Sequence, residues 1–258
     1  MKGLLLLCTA LGLSGPVFGQ QPKLAHTSQV TNADGSTSVF SQNSGFVPYT
    51  VYLRADLRHV TSSVPLPARI VVFPGKKPQL LTTFTPEPDQ PFYFRYYAPN
   101  QLGIYTGQLP DTAYVYRLPY QSAVPAEPPH IITRKGNGPE PWYPYFFPLP
   151  GGTALCAARE GIVATLRQDA RRNRGSDGNF VIIIHEDGSY AWYQNLRQQS
   201  ATVRIGQRVA QGDVIGYSCA NDDNPVLYFT VNYPGATAEK IETAPVVFGN
   251  GTQLLRPR

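Results

Sequence analysis

Apolar positions in the first half of the chain fall in short runs of β-branched and aromatic residues. Each run is closed by Pro, Gly, Asn or Asp. VPYTVYLRAD, ARIVVFPG, QLLTTFTP, PFYFRYYAP and TAYVYRLPY, all between Val47 and Tyr120, have the length and punctuation of strands in a small antiparallel sandwich. They predict a β-sandwich-like accessory domain over residues 46–120. The stretch before it, residues 20–45, is rich in Ser, Thr, Asn and Gln and nearly free of apolar periodicity, so it is read as a polar linker. Residues 121–141 carry a proline pair and a glycine turn and are read as a connector, with His130 in a solvated loop.

A second strand-rich region runs over residues 142–248, followed by a tail over 249–258. TALCAA and IVATL flank a turn at Glu160-Gly161 and read as a hairpin. FVIIIH and YAWYQNL flank the turn Glu186-Asp187-Gly188 and read as another. Between Val203 and Ser218, Gly206, Gly212 and Gly216 alternate with Val209 and Ile215. This predicts two short strands with glycine where the backbone turns sharply. The expected fold class is mostly β, a small sandwich followed by an antiparallel sheet.

Composition agrees with this reading. Of 258 residues, 42% are hydrophobic and 15% charged, and the 23 Gly, 25 Pro, 16 Tyr and 12 Phe favour strands and turns over helices. The first residues, MKGLLLLCTALGLSGPVFGQ, place Lys2 before an apolar run from Leu4 to about Leu13. Val17 and Gly19 are small enough for the −3 and −1 positions of a processing site. This predicts a secretory signal peptide over residues 1–19, no transmembrane helix after its removal, and a secreted or periplasmic protein. Lys2 leaves with the signal, so the net charge falls from +5 to +4. The densest basic stretch, Arg167 to Arg174, has no interleaved aromatics, which argues against nucleic acid as a partner. Cys156 and Cys219 are the only cysteines outside the signal. In an oxidising compartment they are a candidate disulfide.

Four segments, GGTALCAAREGIV, NFVIIIHEDGSYAWYQNL, VRIGQRVAQGDVIGYS and NPVLYFTV, follow one another in an order and spacing that resembles the lysostaphin/LytM-type zinc metallopeptidases. The resemblance implies the fold of those enzymes over about residues 142–233 and an ancestry in peptidoglycan cleavage. It also implies where a zinc site would lie. In that family a His and an Asp four residues apart precede the Gly-Thr pair, a Tyr-x-His-Leu strand supplies a catalytic histidine, and a His-x-His strand supplies a ligand and a second histidine. Counted onto this sequence, those positions are Trp142, Phe146, Asn195, Val226 and Tyr228.

None of these five side chains is a usual zinc ligand, since such sites draw on imidazole, thiolate and carboxylate. The reading is therefore a degenerate member with no catalytic residue, no metal ligand and no cofactor. Alternation on a strand turns Val226 and Tyr228 to the face of the lost imidazoles and Leu227 and Phe229 to the core. Trp142, Tyr193, Asn195 and Tyr228 are candidate groove-binding residues; the alternative is that the aromatics fill the emptied cleft. His185, in IIIHEDG, is read as a structural cap of its hairpin.

The resulting functional expectation is an exported, inactive peptidase-like protein that binds peptidoglycan or regulates a cell-wall hydrolase. The alternative is an active zinc endopeptidase with relocated ligands, for which Asp222, Asp223, Glu186 and Asp187 offer carboxylates but no metal-site spacing. A lipoyl or biotinyl carrier is excluded because no lysine lies between Lys135 and Lys240.

Overall fold

The computed structural model describes residues 25–121, 130–131, 144–171, 178–219, 226–249 and 254–255; the expected signal peptide and Trp142 lie outside them. Every regular element among these residues is a β-strand. No helix among them is long and apolar enough to cross a membrane.

The first region is a two-layer sandwich. One sheet has the order β1 (Ala25–Thr31), β2 (Thr37–Asn43), β6 (Gln79–Pro86), β4 (Val60–Ser62). The other is built on β3 (Tyr49–Arg58), flanked by β5 (Ala68–Val72) on one side and by β7 (Tyr93–Tyr97) and β8 (Asn100–Leu102) on the other. Val39, Val51, Leu53, Val72, Leu81 and Phe84 fill the space between the layers.

The run YTVYL in β3 is buried at every position, because both of its faces are covered. Tyr49, Val51 and Leu53 point into the sandwich. Thr50 and Tyr52 point the other way, to the carbonyls of Gly103 and Gly235.

The polar stretch read as a linker is in fact the β1–β2 hairpin. Residues 25–31 and 37–43 pair in full register, and Asp34-Gly35 forms the turn between them, with Gly35 at φ +81°. β2 has a strict buried and half-buried alternation, but its buried positions include Thr37, Ser41 and Asn43. A hydrophobicity count does not register such a strand. The buried polar atoms are satisfied. The Ser41 hydroxyl bonds that of Tyr49, and Asn43 Nδ2 donates to the carbonyls of Val47 and Val72.

The second region is an antiparallel sheet of eight strands. Its order is β10 (His130–Ile131), β11 (Tyr145–Pro148), β18 (Val226–Pro234), β15 (Tyr190–Gln194), β14 (Phe180–Ile184), β13 (Gly161–Arg167) and β16 (Arg208–Val209), with β19 (Ile241–Ala244) also on β18. β14 and β15 form the expected hairpin. The other expected hairpin is not made. β12 (Ala154–Cys156) pairs with β17 (Val214–Tyr217), and β13 pairs with β14 and β16. His130, expected in a loop, is in β10 opposite Phe146.

Two chain segments fall on the other side of the expected boundaries. β9 (Val115–Arg117) runs parallel to β20 (Val247–Gly249), and Tyr116 and Leu118 are buried in the core of the second region. β21 (Leu254–Leu255), within the expected tail, completes this small sheet and buries Leu255 in the same core.

The two regions are packed together. Val47 and Leu102 of the sandwich join Ala164, Phe180, Ile182, Ile184 and Tyr190 on the outer face of the large sheet. Gln101 Nε2 reaches the carbonyls of Thr237, Ala238 and Lys240 at 3.3, 2.7 and 3.0 Å, and Arg69 Nε donates to that of Ala236 at 2.8 Å. Ile104 N donates to Gly188 O at 3.1 Å. Gly188, at φ +82°, leaves no room for a Cβ beside Ile104, so this approach requires glycine.

Candidate functional site

The large sheet has two faces. The inner one carries Tyr145, Phe147, Val181, Ile183, Ala191, Tyr193, Leu227, Phe229 and Val231, all buried in one core. The outer one carries the alternate residues of the same strands. β18 shows the division directly: Val226 and Tyr228 are half-buried, while Leu227 and Phe229 are buried.

Register brings the degenerate positions together. Phe146 on β11 is directly opposite Tyr228 on β18, which is opposite Gln194 on β15. Their alignment across three strands makes one row on the outer face. The rings of Phe146 and Tyr228 meet edge to face, with centroids 4.8 Å apart and planes at 78°. This is the favoured geometry for an aromatic pair, contributing about 1 kcal/mol beyond the area it buries.

Val226 is opposite Pro148 at the start of the strand. Its carbonyl accepts a 2.6 Å hydrogen bond from Asn195 Nδ2. Asn195 stands at the end of β15 with φ +74°, in the left-handed region that asparagine enters more readily than most residues. Its backbone N–H donates to Asn179 O, and its carbonyl accepts from Cys219 N. The amide at the family's histidine position thus ties the end of β15 to the start of β18.

Four of the five aligned positions, Phe146, Asn195, Val226 and Tyr228, therefore share one place in the fold; the fifth, Trp142, lies outside the described residues. Zinc does not fit this donor set. Phe146 and Val226 offer no donor atom, and the Asn195 Nδ2 is already engaged by a carbonyl. Among the described residues, no group of three His, Cys, Asp or Glu is placed to hold a metal ion.

Tyr193, expected in the groove, is instead fully buried on the inner face. It sits one residue out of phase with Gln194. Its hydroxyl accepts a hydrogen bond from Ala158 N at 2.7 Å and its ring packs 5.1 Å from Phe229. Burial pushes its phenol far above the ordinary tyrosine range. Gln194 takes the outward position instead, half-buried beside Tyr228. Period-two counting forward from the buried Ala191 places Tyr193 inward and Gln194 outward, whereas counting back from Leu196 fails because Asn195, at φ +74°, breaks the alternation.

The candidate Cys156–Cys219 disulfide is not formed, and both thiols are free. Cys156 is opposite Val214, and Cys219 lies five positions further along that strand, past the point where Ser218 pairs with Thr153. At roughly 3.3 Å per residue the two are well beyond the ~7 Å that a disulfide spans.

A second polar cluster, drawn from segments with no shared sequence motif, sits around the β14–β15 turn. His185 is 4% exposed, its Nδ1 bonds the carbonyl of Glu160 at 2.8 Å, and its backbone N–H and C=O close the turn with Ser189 and Gly188. Arg159 Nη1 donates to Asp187 Oδ2 at 2.7 Å and to the Tyr116 hydroxyl at 3.3 Å, and its guanidinium lies 4.2 Å from the centre of the Tyr114 ring. Tyr114 in turn donates to Glu160 Oε2 at 2.7 Å.

Burial holds the His185 imidazole down to about 4, outweighing the bond to Glu160. Burial also raises the Asp187 carboxyl, but the Ser189 hydroxyl and Arg159 more than compensate, and it lies below the usual range. The cluster clamps residues 114–117 onto the sheet and offers no open ligand set.

Fold and site together define an antiparallel β-sheet module whose candidate site positions are aromatic, aliphatic and amide. Residues 141–240 match the family model of Peptidase family M23, and the four segments noted in the sequence fall within this stretch. Comparison with curated proteins gives no match.

Among solved structures, the solution structure of lysostaphin is similar at 21% identity over 51% of this chain and 51% of that one, with a TM-score of 0.35. The chain thus spans about half the length of that lysostaphin. The catalytic domain of the antimicrobial peptidase lysostaphin from Staphylococcus simulans is similar at 21% identity over 50% of this chain and 85% of that one, TM-score 0.31. A zinc containing peptidase from Vibrio cholerae is similar at 11% identity over 85% of each chain, TM-score 0.34.

Proposed function

We propose that the protein is an exported, non-catalytic M23-type module that binds peptidoglycan through the outer face of its large sheet. The observation that supports this most directly is the row of Phe146, Tyr228 and Gln194 beside Asn195, where the family resemblance implies zinc and two histidines. Aromatic edges and an amide offer flat amphipathic contact and hydrogen bonding to a peptide or sugar, and none of them activates water. Export follows from the signal-peptide reading of residues 1–19. The sandwich domain serves as the accessory of this module.

The test is co-sedimentation with purified peptidoglycan, run together with metal analysis and a cleavage assay on the same protein. Binding that weakens severalfold in Tyr228→Ala, with no metal retained and no cleavage, is the expected result. Chelator-sensitive cleavage with near-stoichiometric zinc would replace this reading by an endopeptidase with relocated ligands. Absence of sedimentation, with instead a direct effect on the rate of a cell-wall hydrolase, would make the module a regulator rather than a wall binder.

A further inference from the structure

Three loops from distant parts of the sequence meet where the sandwich rests on the edge of the large sheet. The loop around Phe46 is joined to the loop around Lys76 by bonds from Gly75 N to Asn43 O and from Gln42 Nε2 to Lys76 O. On its other side, the Phe46 ring lies against Gly206, close enough that a Cβ there would come 2.6 Å from the ring. Gly206 belongs to the turn that leads into β16, and it carries Arg204 and Arg208 on either side.

The composition of these loops is one-sided. Residues 42–47, 72–82 and 202–210 contain no Asp or Glu. Lys76, Lys77, Arg204 and Arg208 are all exposed, and none makes an ion pair among the described residues. Between them, Phe46 and Phe73 stand 59% and 60% exposed. Single exposed apolar residues are common on protein surfaces. Two phenylalanines of this exposure on adjoining loops, framed by four cations that make no ion pair among the described residues, are a different arrangement.

We propose that this face docks on an anionic lipid surface. The cations supply attraction to acidic headgroups, and the two rings supply what a soluble polyanion has no use for, apolar area to bury at the headgroup boundary. The order of the large sheet adds an orientation. The patch adjoins the β13–β16 edge, while Phe146 and Tyr228 lie towards the opposite β10–β11 edge. A chain docked by its loops therefore keeps the row of Phe146, Tyr228 and Gln194 away from the bilayer. The docking proposal stands independently of what that row binds.

The experiment is flotation of the full chain with vesicles of equal phosphatidylglycerol and phosphatidylcholine, against phosphatidylcholine alone. Binding to the anionic vesicles is expected, reduced about tenfold or more in Lys76→Glu/Arg208→Glu and about fivefold in Phe73→Ser. A Phe73→Trp chain is expected to gain blue-shifted emission with anionic vesicles and to be quenched by lipids brominated along the acyl chain.

Equal flotation with both kinds of vesicle would overturn the proposal. So would binding unchanged in the charge-reversal variant, which would place the contact elsewhere, for instance on the apolar run of residues 4–13. Insensitivity to Phe73→Ser and no emission shift, with equal charge-dependent binding to soluble polyphosphate, would overturn it in favour of a polyanion site.

Discussion

His185 makes the stability of the second region dependent on pH in a way that can be worked from its surroundings. Its imidazole is enclosed by Glu160, Tyr116, Arg159 and Asp187, and its protonation is held down to about 4 from an ordinary 6.5. Above the ordinary value the ring is neutral in both folded and unfolded chains and contributes no pH dependence. As pH falls below it, the unfolded chain takes up a proton that the folded chain refuses, so stability falls by up to about 1.4 kcal/mol per unit. The loss levels off near the folded value, after about 2.5 units, at about 3 kcal/mol.

Carboxylates also titrate in acid, Asp187 among them, so the wild-type curve alone does not isolate the histidine. His185→Asn keeps an N–H donor at the position of Nδ1 for the Glu160 carbonyl and removes the titration. Urea denaturation followed by fluorescence, compared between about pH 8 and about pH 4.5, is expected to show the wild type losing about 2 kcal/mol more than the variant. Equal losses in the two proteins would refute the assignment of a buried, neutral imidazole.

Three further substitutions test other parts of the structure. Asn43→Ala removes the donor to the Val47 and Val72 carbonyls and the acceptor for Gly45 N, and is expected to cost about 3 kcal/mol in chemical denaturation. An unchanged midpoint would mean that the hairpin is not integral to the sandwich. Tyr193→Phe leaves Ala158 N buried without its acceptor and is expected to cost about 1–2 kcal/mol; an unaffected peptidoglycan interaction in the same variant would agree with a core position. Gly206→Ala combines φ +84° with a collision against the Phe46 ring and is expected to lower stability by about 1–2 kcal/mol, partly restored by Phe46→Ala. Additive effects in thermal melts of the double variant would contradict the contact.

The strands that sequence reading located are those whose buried side chains are apolar. Gln79–Pro86 coincides with its predicted run, and the β14–β15 hairpin follows its Asp-Gly turn. β1 and β2 escaped because their buried atoms are hydroxyls and amides, and burial of such groups depends on partners far along the chain, such as Tyr49 and Val72. Even so, Asp34-Gly35 was a visible turn signal between two β-branched segments. The β12–β13 hairpin failed for a different reason. A turn at Glu160-Gly161 is compatible with pairing across it, but Ala154–Cys156 finds its partner in β17, 58 residues beyond Cys156 at Val214, and no local pattern encodes that choice. Tyr193 was misplaced by a single step of strand alternation, which exchanges the two faces of a sheet.

The geometry also accounts for how the scaffold stands with these residues at its site positions. Phe146, Asn195, Val226 and Tyr228 lie on or beside the outer face, while the core that holds the sheet together is assembled from the intervening residues on the inner one. Period-two alternation separates the two sets, so ligand positions can change without altering Tyr145, Phe147, Tyr193, Leu227 or Phe229. What the outer face needs is cover for its exposed backbone ends and rings. The Phe146–Tyr228 pair and the bond from Asn195 to the Val226 carbonyl supply it locally, and the sandwich, through Val47 and Leu102, covers the adjoining rows. That cluster reaches the row at Phe180, which is in register with Gln194, but does not include Phe146 or Tyr228, so the sandwich covers one end of the row and the aromatic pair covers the other.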